Sequence, residues 1–375
     1  IQRDRPIPVW GHANKGVEVK VTLGGVTRTA VANDLQQWAV EFPPRQASSI
    51  PISLSVIATH GHTKTVNNIL VGDVWYLTGS TLLNGEMAFN SRVQGAVPPD
   101  ELPLVREFRR KTSASTFTTP RKRKFETGGG KYRSSWMGTD DWEGDRGVTM
   151  FAYHFAKTLN RKGIPQGFIT MSSGRGGRSS QMASPLSWTS FAGVKDVKNP
   201  LFKKRLDELF MQYPSTEVAR AAVAEHVRDV KAFVSQVRAM SGQAQDWENS
   251  APLAAPPFPE AGKGSEVPSD TIPTYAYNWC VSPMTPMAVA GVIWVPSESN
   301  IGYDPSQYAA ELEIYASSLN GTYGQDDVQF IYAQPSEAMF ENLAVPKIPA
   351  AKKITFESWP KSMQQTAVEM AKIAE

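Results

Sequence analysis

Four continuous apolar runs constrain the fold of this 375-residue chain more than any other feature of the sequence. Such runs are typical of strands that are buried on both faces of a parallel sheet. Helical patterns lie between the runs, and strands that alternate with helices build a parallel sheet covered on both sides. We therefore predict an α/β fold. The runs are NILVGDVWYLTG at 68–79, IPQGFITMSS at 164–173, AVAGVIWVPS at 288–297 and VQFIYAQ at 328–334.

The N-terminal residues predict a separate all-β unit. Three short segments there alternate apolar and polar side chains, as half-buried strands do. Gly24 and Gly25 follow the first segment, and a glycine pair favours a tight hairpin turn. We expect an N-terminal β-sandwich domain at residues 1–68 and an α/β domain at residues 69–375. The alternating segments are VEVKVTL, QWAVEF and ISLSVIA.

Two insertions interrupt the α/β pattern. Residues 106–135 hold ten Lys or Arg and two Glu, so this basic insertion carries a local charge of +8. Residues 196–273 form a second insertion, which is helical at first and rich in proline towards its end. Its helical part carries four valines at helical spacing, namely Val227, Val230, Val234 and Val237.

Composition excludes several classes of function. The mean hydropathy is −0.33, and no apolar run is long enough for a bilayer, so we expect no membrane span. The net charge of +3 is too small to suggest a nucleic-acid partner. Cys280 is the one cysteine, which excludes an internal disulfide and a multi-cysteine metal site. No signal-peptide pattern opens the chain.

The ends of the apolar runs carry the residues that point to a family. GDVWYLTGSTLL at 72–83, IPQGFITMSSGRGGRSSQM at 164–182 and YNWCVSPMTPMAVAGVIWVPSESN at 277–300 resemble signature blocks of the sialate O-acetylesterase family of SGNH hydrolases, and QRDRPIPVWG at 2–11 resembles that family's opening. The resemblance implies an SGNH-type three-layer α/β/α sandwich with an N-terminal β-sandwich. It also implies removal of O-acetyl groups from sugars, in a secreted, periplasmic or cell-surface location.

The nucleophile position of the first block is altered. The family's block reads GQSN, in which the serine is the nucleophile. Counted from Gly79, that position holds Thr81, and Leu82 replaces the asparagine. A shift of one residue would place Ser80 there instead. A hydroxyl at a strand-to-helix turn also caps helices well, so a capping role stays an alternative to nucleophilic attack.

The second block keeps its glycines. Gly176 and Gly177 can present backbone N–H groups at the start of a helix, where an anion binds favourably. Arg178 stands where the family has threonine, and Arg175 precedes the pair. We take both arginines as candidate ligand-binding residues, although glycines are also common wherever a strand turns sharply.

The third block has lost a hydrogen-bond donor. The resemblance places an oxyanion-binding glutamine at position 296, but this chain has Pro296, which offers neither a side-chain nor a backbone donor. Glu298, Ser299 and Asn300 remain. They either bind sugar hydroxyls or cap the turn after the strand.

The base is also missing. The family's C-terminal histidine aligns with Trp359, and the preceding carboxylate persists at most as Glu357. An indole accepts no proton, and loss of a general base slows proton transfer by about 10²–10⁴. The chain has five histidines, and none of them falls in a signature block or offers a clear substitute: His12, His60, His62, His154 and His226.

No metal or cofactor is expected. His60 and His62 form an HxH pair without an evident third ligand, and the acids in TDDWEGD at 139–145 lack the spacing of an EF-hand.

The basic insertion holds one further candidate binding segment. Arg121, Lys122, Arg123 and Lys124 form a run of cations beside Phe125. The run suits a sulfated or carboxylated polymer, a phosphate backbone or an acidic protein partner, while a solvated insertion without a ligand is the alternative.

These residues together predict a catalytically degenerate esterase-like protein, or pseudoenzyme, with a carbohydrate-binding role or a structural role in a larger assembly. The alternative is an active carbohydrate O-acetylesterase that uses Ser80 or Thr81 as its nucleophile.

Overall fold

A computed structural model gives the architecture of the chain. Two antiparallel sheets come first, and one larger, mostly parallel sheet with helices on both faces follows. The described residues are 1–59, 61–79, 83, 104–109, 135–138, 148–161, 163–171, 184–195, 197–204, 206–207, 216–241, 273–274, 276–302, 305–358 and 363–375.

The N-terminal region consists of six antiparallel strands in two sheets, which confirms the predicted β-rich region. Strand β1 pairs with β4, and the second sheet has the order β3-β2-β5-β6. Side chains from both sheets share one apolar core, which includes Val21, Trp38 and Phe42. The strands are β1 (Ile7–His12), β2 (Glu18–Leu23), β3 (Val26–Val31), β4 (Gln37–Phe42), β5 (Ser48–Ala58) and β6 (Thr63–Val71).

The hairpin between β2 and β3 has the turn that its glycines predict. Leu23 pairs with Val26 across a two-residue loop. Gly24 and Gly25 both have positive φ, 50° and 87°. A two-residue turn with positive φ at both positions matches the twist of the flanking strands, and glycine adopts it without strain.

The large sheet has seven strands in the order β13-β12-β11-β7-β10-β8-β9. Six of them run parallel, and β9 pairs antiparallel with β8 at the edge. This arrangement confirms the predicted parallel sheet. The strands are β7 (Asp73–Gly79), β8 (Val105–Arg109), β9 (Ser135–Gly138), β10 (Gln166–Thr170), β11 (Gly291–Val295), β12 (Gln329–Pro335) and β13 (Lys352–Phe356).

Helices cover both faces of this sheet. Alternate residues of its central strands belong to two separate apolar clusters, one shared with α5 and the other with α1 and α6. No described helix is long and apolar enough to cross a bilayer. The helices are α1 (Met150–Leu159), α2 (Phe191–Val194), α3 (Thr216–Ser241), α4 (Glu298–Gly302), α5 (Pro305–Tyr323) and α6 (Met363–Ala374).

The first apolar run is divided between two sheets, where a single buried strand was expected. Strand β6 ends at Val71, and β7 begins at Asp73. Between them, a Cβ added to Gly72 would lie 1.9 Å from the carbonyl oxygen of Pro165. Only glycine fits so close to another backbone, and the chain passes here from the β-rich region into the large sheet.

Both ends of the predicted basic insertion belong to the large sheet, as β8 and β9. Glu107 on β8 is fully buried and accepts hydrogen bonds from the Thr149 amide (2.5 Å) and hydroxyl (3.0 Å), and from the Thr170 hydroxyl. The Thr149 hydroxyl in turn caps α1. A carboxylate at the start of a helix is favourable, so Glu107 anchors α1 to the sheet. Residues 110–134 lie outside the described residues.

A buried ionic cluster joins the N-terminal residues to β7. The Asp73 carboxylate is 2% exposed and accepts from Arg3 Nε at 2.6 Å and from Arg161 Nη1 at 2.5 Å. Gln166 Nε2 adds a third bond at 3.2 Å. Burial acts to raise the pKa of Asp73, but the bonds from Arg3, Arg161 and Gln166 outweigh it and hold this pKa below its ordinary value.

The Asp73 cluster predicts a pH-dependent loss of stability in an Asp73→Asn variant. The folded-state pKa is depressed, so the carboxylate stabilises the fold above its ordinary pKa near 4, and this stabilisation fades as the pH falls through the depressed value. We expect a loss of about 2–3 kcal/mol in the free energy of unfolding at pH 7 that shrinks below pH 4. Denaturant titrations across this pH range measure it.

Asp34→Asn is the matched control, because the Lys15–Asp34 pair is exposed and such pairs contribute about 0–1 kcal/mol. A loss at Asp73 that is equal at pH 7 and pH 3 would contradict the ionic account.

Candidate functional site

The strand order locates a crevice at the carboxyl edge of the large sheet. Five parallel strands have the order β10-β7-β11-β12-β13, which is 2-1-3-4-5 in order along the chain. The winding direction reverses between β7 and β11. In such sheets, ligands bind outside the carboxyl ends of the strands at the point of reversal. The strand order therefore predicts a ligand crevice between the ends of β7 and β11.

Gly79 brings the ends of these two strands together. It pairs with Val295, the last residue of β11. Its φ is +112°, and an added Cβ would lie 2.3 Å from the Val295 carbonyl oxygen. Both facts exclude a larger residue without displacement of the backbone. Ser80 and Thr81 follow Gly79 in the sequence but lie outside the described residues. Their hydroxyl groups were expected either to provide the nucleophile or to cap a helix.

The segment after β11 begins with a buried proline. Pro296 follows Val295 and is buried, so no backbone N–H points from this position. The Asn300 Oδ1 accepts from the Ser297 amide at 2.7 Å and from the Ser297 hydroxyl at 3.0 Å. In this arrangement the Asn300 side chain caps the turn at the start of α4, and the Asn300 amide donates to the Ser297 carbonyl oxygen at 3.1 Å. The oxygen of Asn300 therefore holds the turn, and Glu298 is exposed beside it.

Three buried polar atoms near this edge have no hydrogen-bond partner among the described residues: Thr78 Oγ1, Gln334 Oε1 and Ser336 Oγ. Thr78 comes just before Gly79, while Gln334 and Ser336 lie at the end of β12. Unsatisfied buried polar atoms are rare in native proteins because each one costs about 1–3 kcal/mol. They are suited to hydrogen bonds with a polar ligand or water. Sequence reasoning missed them, although each lies next to the end of an apolar run.

The described histidines lie on four different elements. His12 is at the end of β1, His62 is in the β5–β6 hairpin, and His226 is on α3. His154 is half-buried on α1, where burial and the nearby Lys157 charge lower its pKa. His60 lies outside the described residues. Within the described part of the chain, no group of three or more His, Cys, Asp or Glu side chains could hold a metal ion.

Most of the site residues predicted from the sequence lie outside the described residues. The described strands β7, β10 and β13 run parallel and end at the same carboxyl edge of the sheet. The contacts of the site residues stay predictions. These residues are Ser80, Thr81, Arg121, Lys122, Arg123, Lys124, Arg175, Gly176, Gly177, Arg178 and Trp359.

The fold is similar to that of solved structures. One of them is the crystal structure of a carbohydrate acetylesterase from Xanthomonas citri, with a TM-score of 0.64 and 20% sequence identity. The match covers 100% of this chain and 72% of that chain. At this identity the likeness establishes the α/β fold with its β-rich region and no more. No family model and no curated protein sequence matches this chain.

A Gly79→Ala variant tests the close contact of the strand ends. The new Cβ would meet the Val295 carbonyl oxygen in a backbone conformation that alanine adopts poorly, so we expect a loss of about 2–4 kcal/mol in the free energy of unfolding. Gly16→Ala is the matched control, because Gly16 also has a positive φ but nothing within 4 Å of an added Cβ. Denaturant unfolding of both variants should give about 1 kcal/mol for the control. Equal losses would exclude steric contact as the cause.

Proposed function

We propose that this chain is an SGNH-type protein of the sialate O-acetylesterase family that has lost hydrolysis and binds carbohydrate at the carboxyl edge of its sheet. The buried Pro296 carries this proposal. By the sequence resemblance it stands at the position of the family's oxyanion donor, and it follows Val295, which pairs with Gly79. A proline there removes both the side-chain donor and the backbone donor from the place where negative charge would develop.

The expected chemical loss is large. Ester hydrolysis needs a nucleophile, a base and oxyanion donors. Loss of one oxyanion donor lowers the rate by about 10²–10³, and loss of the base by about 10²–10⁴. By the sequence resemblance, Trp359 stands at the position of the histidine, so the general base is missing. Rate losses from groups that act as a unit are not additive. We therefore expect turnover far below that of an esterase with an intact base and oxyanion donor.

The unpartnered polar atoms support binding of a hydroxyl-rich ligand. A sugar presents hydroxyl groups that both donate and accept, which suits Thr78 Oγ1, Gln334 Oε1 and Ser336 Oγ. Arg175 and Arg178 are the proposed contacts for an acidic or acetylated substituent. The structural neighbour is named as a carbohydrate acetylesterase, which favours a carbohydrate ligand over other polar molecules. Location outside the cytoplasm and a role within a larger assembly belong to the same proposal.

A working carbohydrate O-acetylesterase is the second candidate. The observation in its favour is the φ of +112° at Gly79, which turns the chain at the end of a buried strand, and Ser80 and Thr81 follow it in the sequence. Sharp turns of this kind expose nucleophiles in other hydrolases. This reading requires Ser80 or Thr81 as the nucleophile and a base from elsewhere.

Turnover of an aryl acetate distinguishes the two candidates. We expect the release rate with the intact chain to match that of a Ser80→Ala/Thr81→Ala double variant, because neither hydroxyl has a base to activate it. The measurement is absorbance of the released phenol at equal protein concentration. A rate well above background that the double variant abolishes would replace the pseudoenzyme proposal with the esterase.

A Thr78→Val variant tests the proposed ligand contact. The hydroxyl has no partner among the described residues, so its replacement by a methyl group should leave the free energy of unfolding unchanged or slightly raise it. Retention on immobilised acetylated glycans should fall by about 5- to 10-fold if this hydroxyl bonds the ligand.

Thr149→Val is the control for stability, because it removes the cap of α1 and a bond to Glu107 and should cost about 1–2 kcal/mol. Unchanged glycan retention in Thr78→Val would remove this residue from the proposed site.

A further inference from the structure

A cavity lies at the amino edge of the large sheet, opposite the carboxyl edge. It has a volume of about 420 Å³, and its wall includes Asp73 at the start of β7, Ala290 just before β11 and Gln329 at the start of β12. A volume of this size falls in the range of small-molecule sites. Strand β7 has seven residues, so about 20 Å separate its two ends. This amino-edge cavity is therefore distinct from the candidate functional site.

Three arginines line the amino-edge cavity: Arg3, Arg5 and Arg161. Their side chains are 29%, 36% and 26% exposed, so each guanidinium group is partly withdrawn from water. A guanidinium group has several N–H donors in a fixed plane. Among the described residues, Arg5 and Arg161 each donate through one nitrogen and Arg3 donates through two, in every case to a carboxylate. Most of these donors are therefore available to a ligand.

The two glutamines in the wall already use their amide N–H groups within the fold. Gln2 Nε2 donates to the Arg3 carbonyl oxygen at 3.1 Å, and Gln329 Nε2 donates to the Ala374 carbonyl oxygen at 3.3 Å. The Gln2 side-chain oxygen accepts from the Val74 amide at 2.8 Å. Recognition of a ligand therefore depends on the guanidinium groups, and these favour an anion over a neutral molecule.

The buried part of the wall has an excess of positive charge. Arg3 and Arg161 both bind the Asp73 carboxylate, so two positive charges share one buried negative charge. Asp4 and Asp327 also pair with arginines of the cavity, but their side chains are 53% and 60% exposed. Exposed ion pairs are weak, so an incoming anion can replace these two carboxylates at small cost.

We propose that the amino-edge cavity binds a small phosphate monoester, with its phosphate group among Arg3, Arg5 and Arg161. A phosphate monoester presents three acceptor oxygens and carries a charge of about −1.5 to −2 at neutral pH. Arginine binds phosphate oxygens through paired N–H bonds. Because Arg3 and Arg5 precede β1 and Arg161 follows α1, the bound phosphate links the start of the β-rich region to the large sheet.

Isothermal titration calorimetry of the full chain with glycerol 3-phosphate tests the proposal, with glycerol as the neutral counterpart. We expect a Kd of about 0.1–1 mM for the phosphate ester at low ionic strength and no heat of binding for glycerol. Binding should weaken in about 0.5 M salt, because salt screens partly exposed charges. Glycerol 3-phosphate should also raise the midpoint of thermal unfolding, because it binds the folded state.

Variants of the two exposed carboxylates test whether they compete with the ligand. We expect Asp4→Asn and Asp327→Asn each to bind glycerol 3-phosphate about three- to fivefold more tightly, because each frees an arginine. Asp4 has a φ of 56°, which asparagine also adopts, so the backbone should be kept. Asp34→Asn is the matched control, because Asp34 is an exposed, paired carboxylate outside the cavity wall, and its affinity should be unchanged.

Removal of a cation should have the opposite effect. Arg5→Gln should weaken binding of glycerol 3-phosphate by about tenfold, because it removes a charge-assisted donor. The fold should be kept, since the pair of Arg5 with Asp327 is exposed. Lys15→Gln removes an exposed, paired cation outside the cavity wall and should leave the affinity unchanged.

Three outcomes would overturn the proposal. The first is no binding of glycerol 3-phosphate up to about 10 mM. The second is equal affinity in Arg5→Gln and in the starting chain. The third is tighter binding of succinate, which would make the ligand a dicarboxylate rather than a phosphate ester. None of these outcomes bears on the aryl acetate and glycan measurements, because the cavity lies at the other edge of the sheet.

Discussion

Burial of strand β7 on both faces is the constraint on which the rest of the structure depends. All seven of its residues are buried, and its two edges pair with β10 and β11. Its alternate side chains supply both apolar clusters of the large sheet. Because burial of apolar side chains is the dominant favourable term in folding, this strand holds the two helical layers together.

The two ends of β7 link the β-rich region to the candidate site. At the amino end, Asp73 binds Arg3, and the Val74 amide donates to the Gln2 side chain at 2.8 Å. At the carboxyl end, Gly79 lies against Val295. Gly72 precedes the strand and Gly79 ends it, and an added Cβ would lie 1.9 Å from the Pro165 carbonyl oxygen at the first and 2.3 Å from the Val295 carbonyl oxygen at the second. Backbone contact therefore determines where the chain enters the sheet and where it leaves at the crevice.

Much of this fold could be predicted from local pattern. Apolar runs identified β7, β10, β11 and β12, and alternation identified the N-terminal strands. Strand β8 escaped prediction because its sequence, VREFR, has three charges in five residues. Its Glu107 is buried only because Thr149 and Thr170, which are distant in sequence, bond to it. The division at Gly72 and the unpartnered Thr78 hydroxyl also depend on contacts that no local pattern contains. The site positions after the strands came from family resemblance rather than from periodicity.

The residues at the crevice separate into those that the fold requires and those that it does not. Gly79 is required by the Val295 carbonyl oxygen, and Asn300 by the turn that it caps, so neither needs a role in chemistry to explain its presence. Thr78 and Gln334 differ, because each has a buried polar atom without a hydrogen-bond partner among the described residues, and such an atom lowers stability. The presence of Gly79 is thus weak evidence for catalysis. The buried polar atoms of Thr78 and Gln334, which have no partner among the described residues, are stronger evidence for a ligand. This distinction favours a site that binds over a site that reacts.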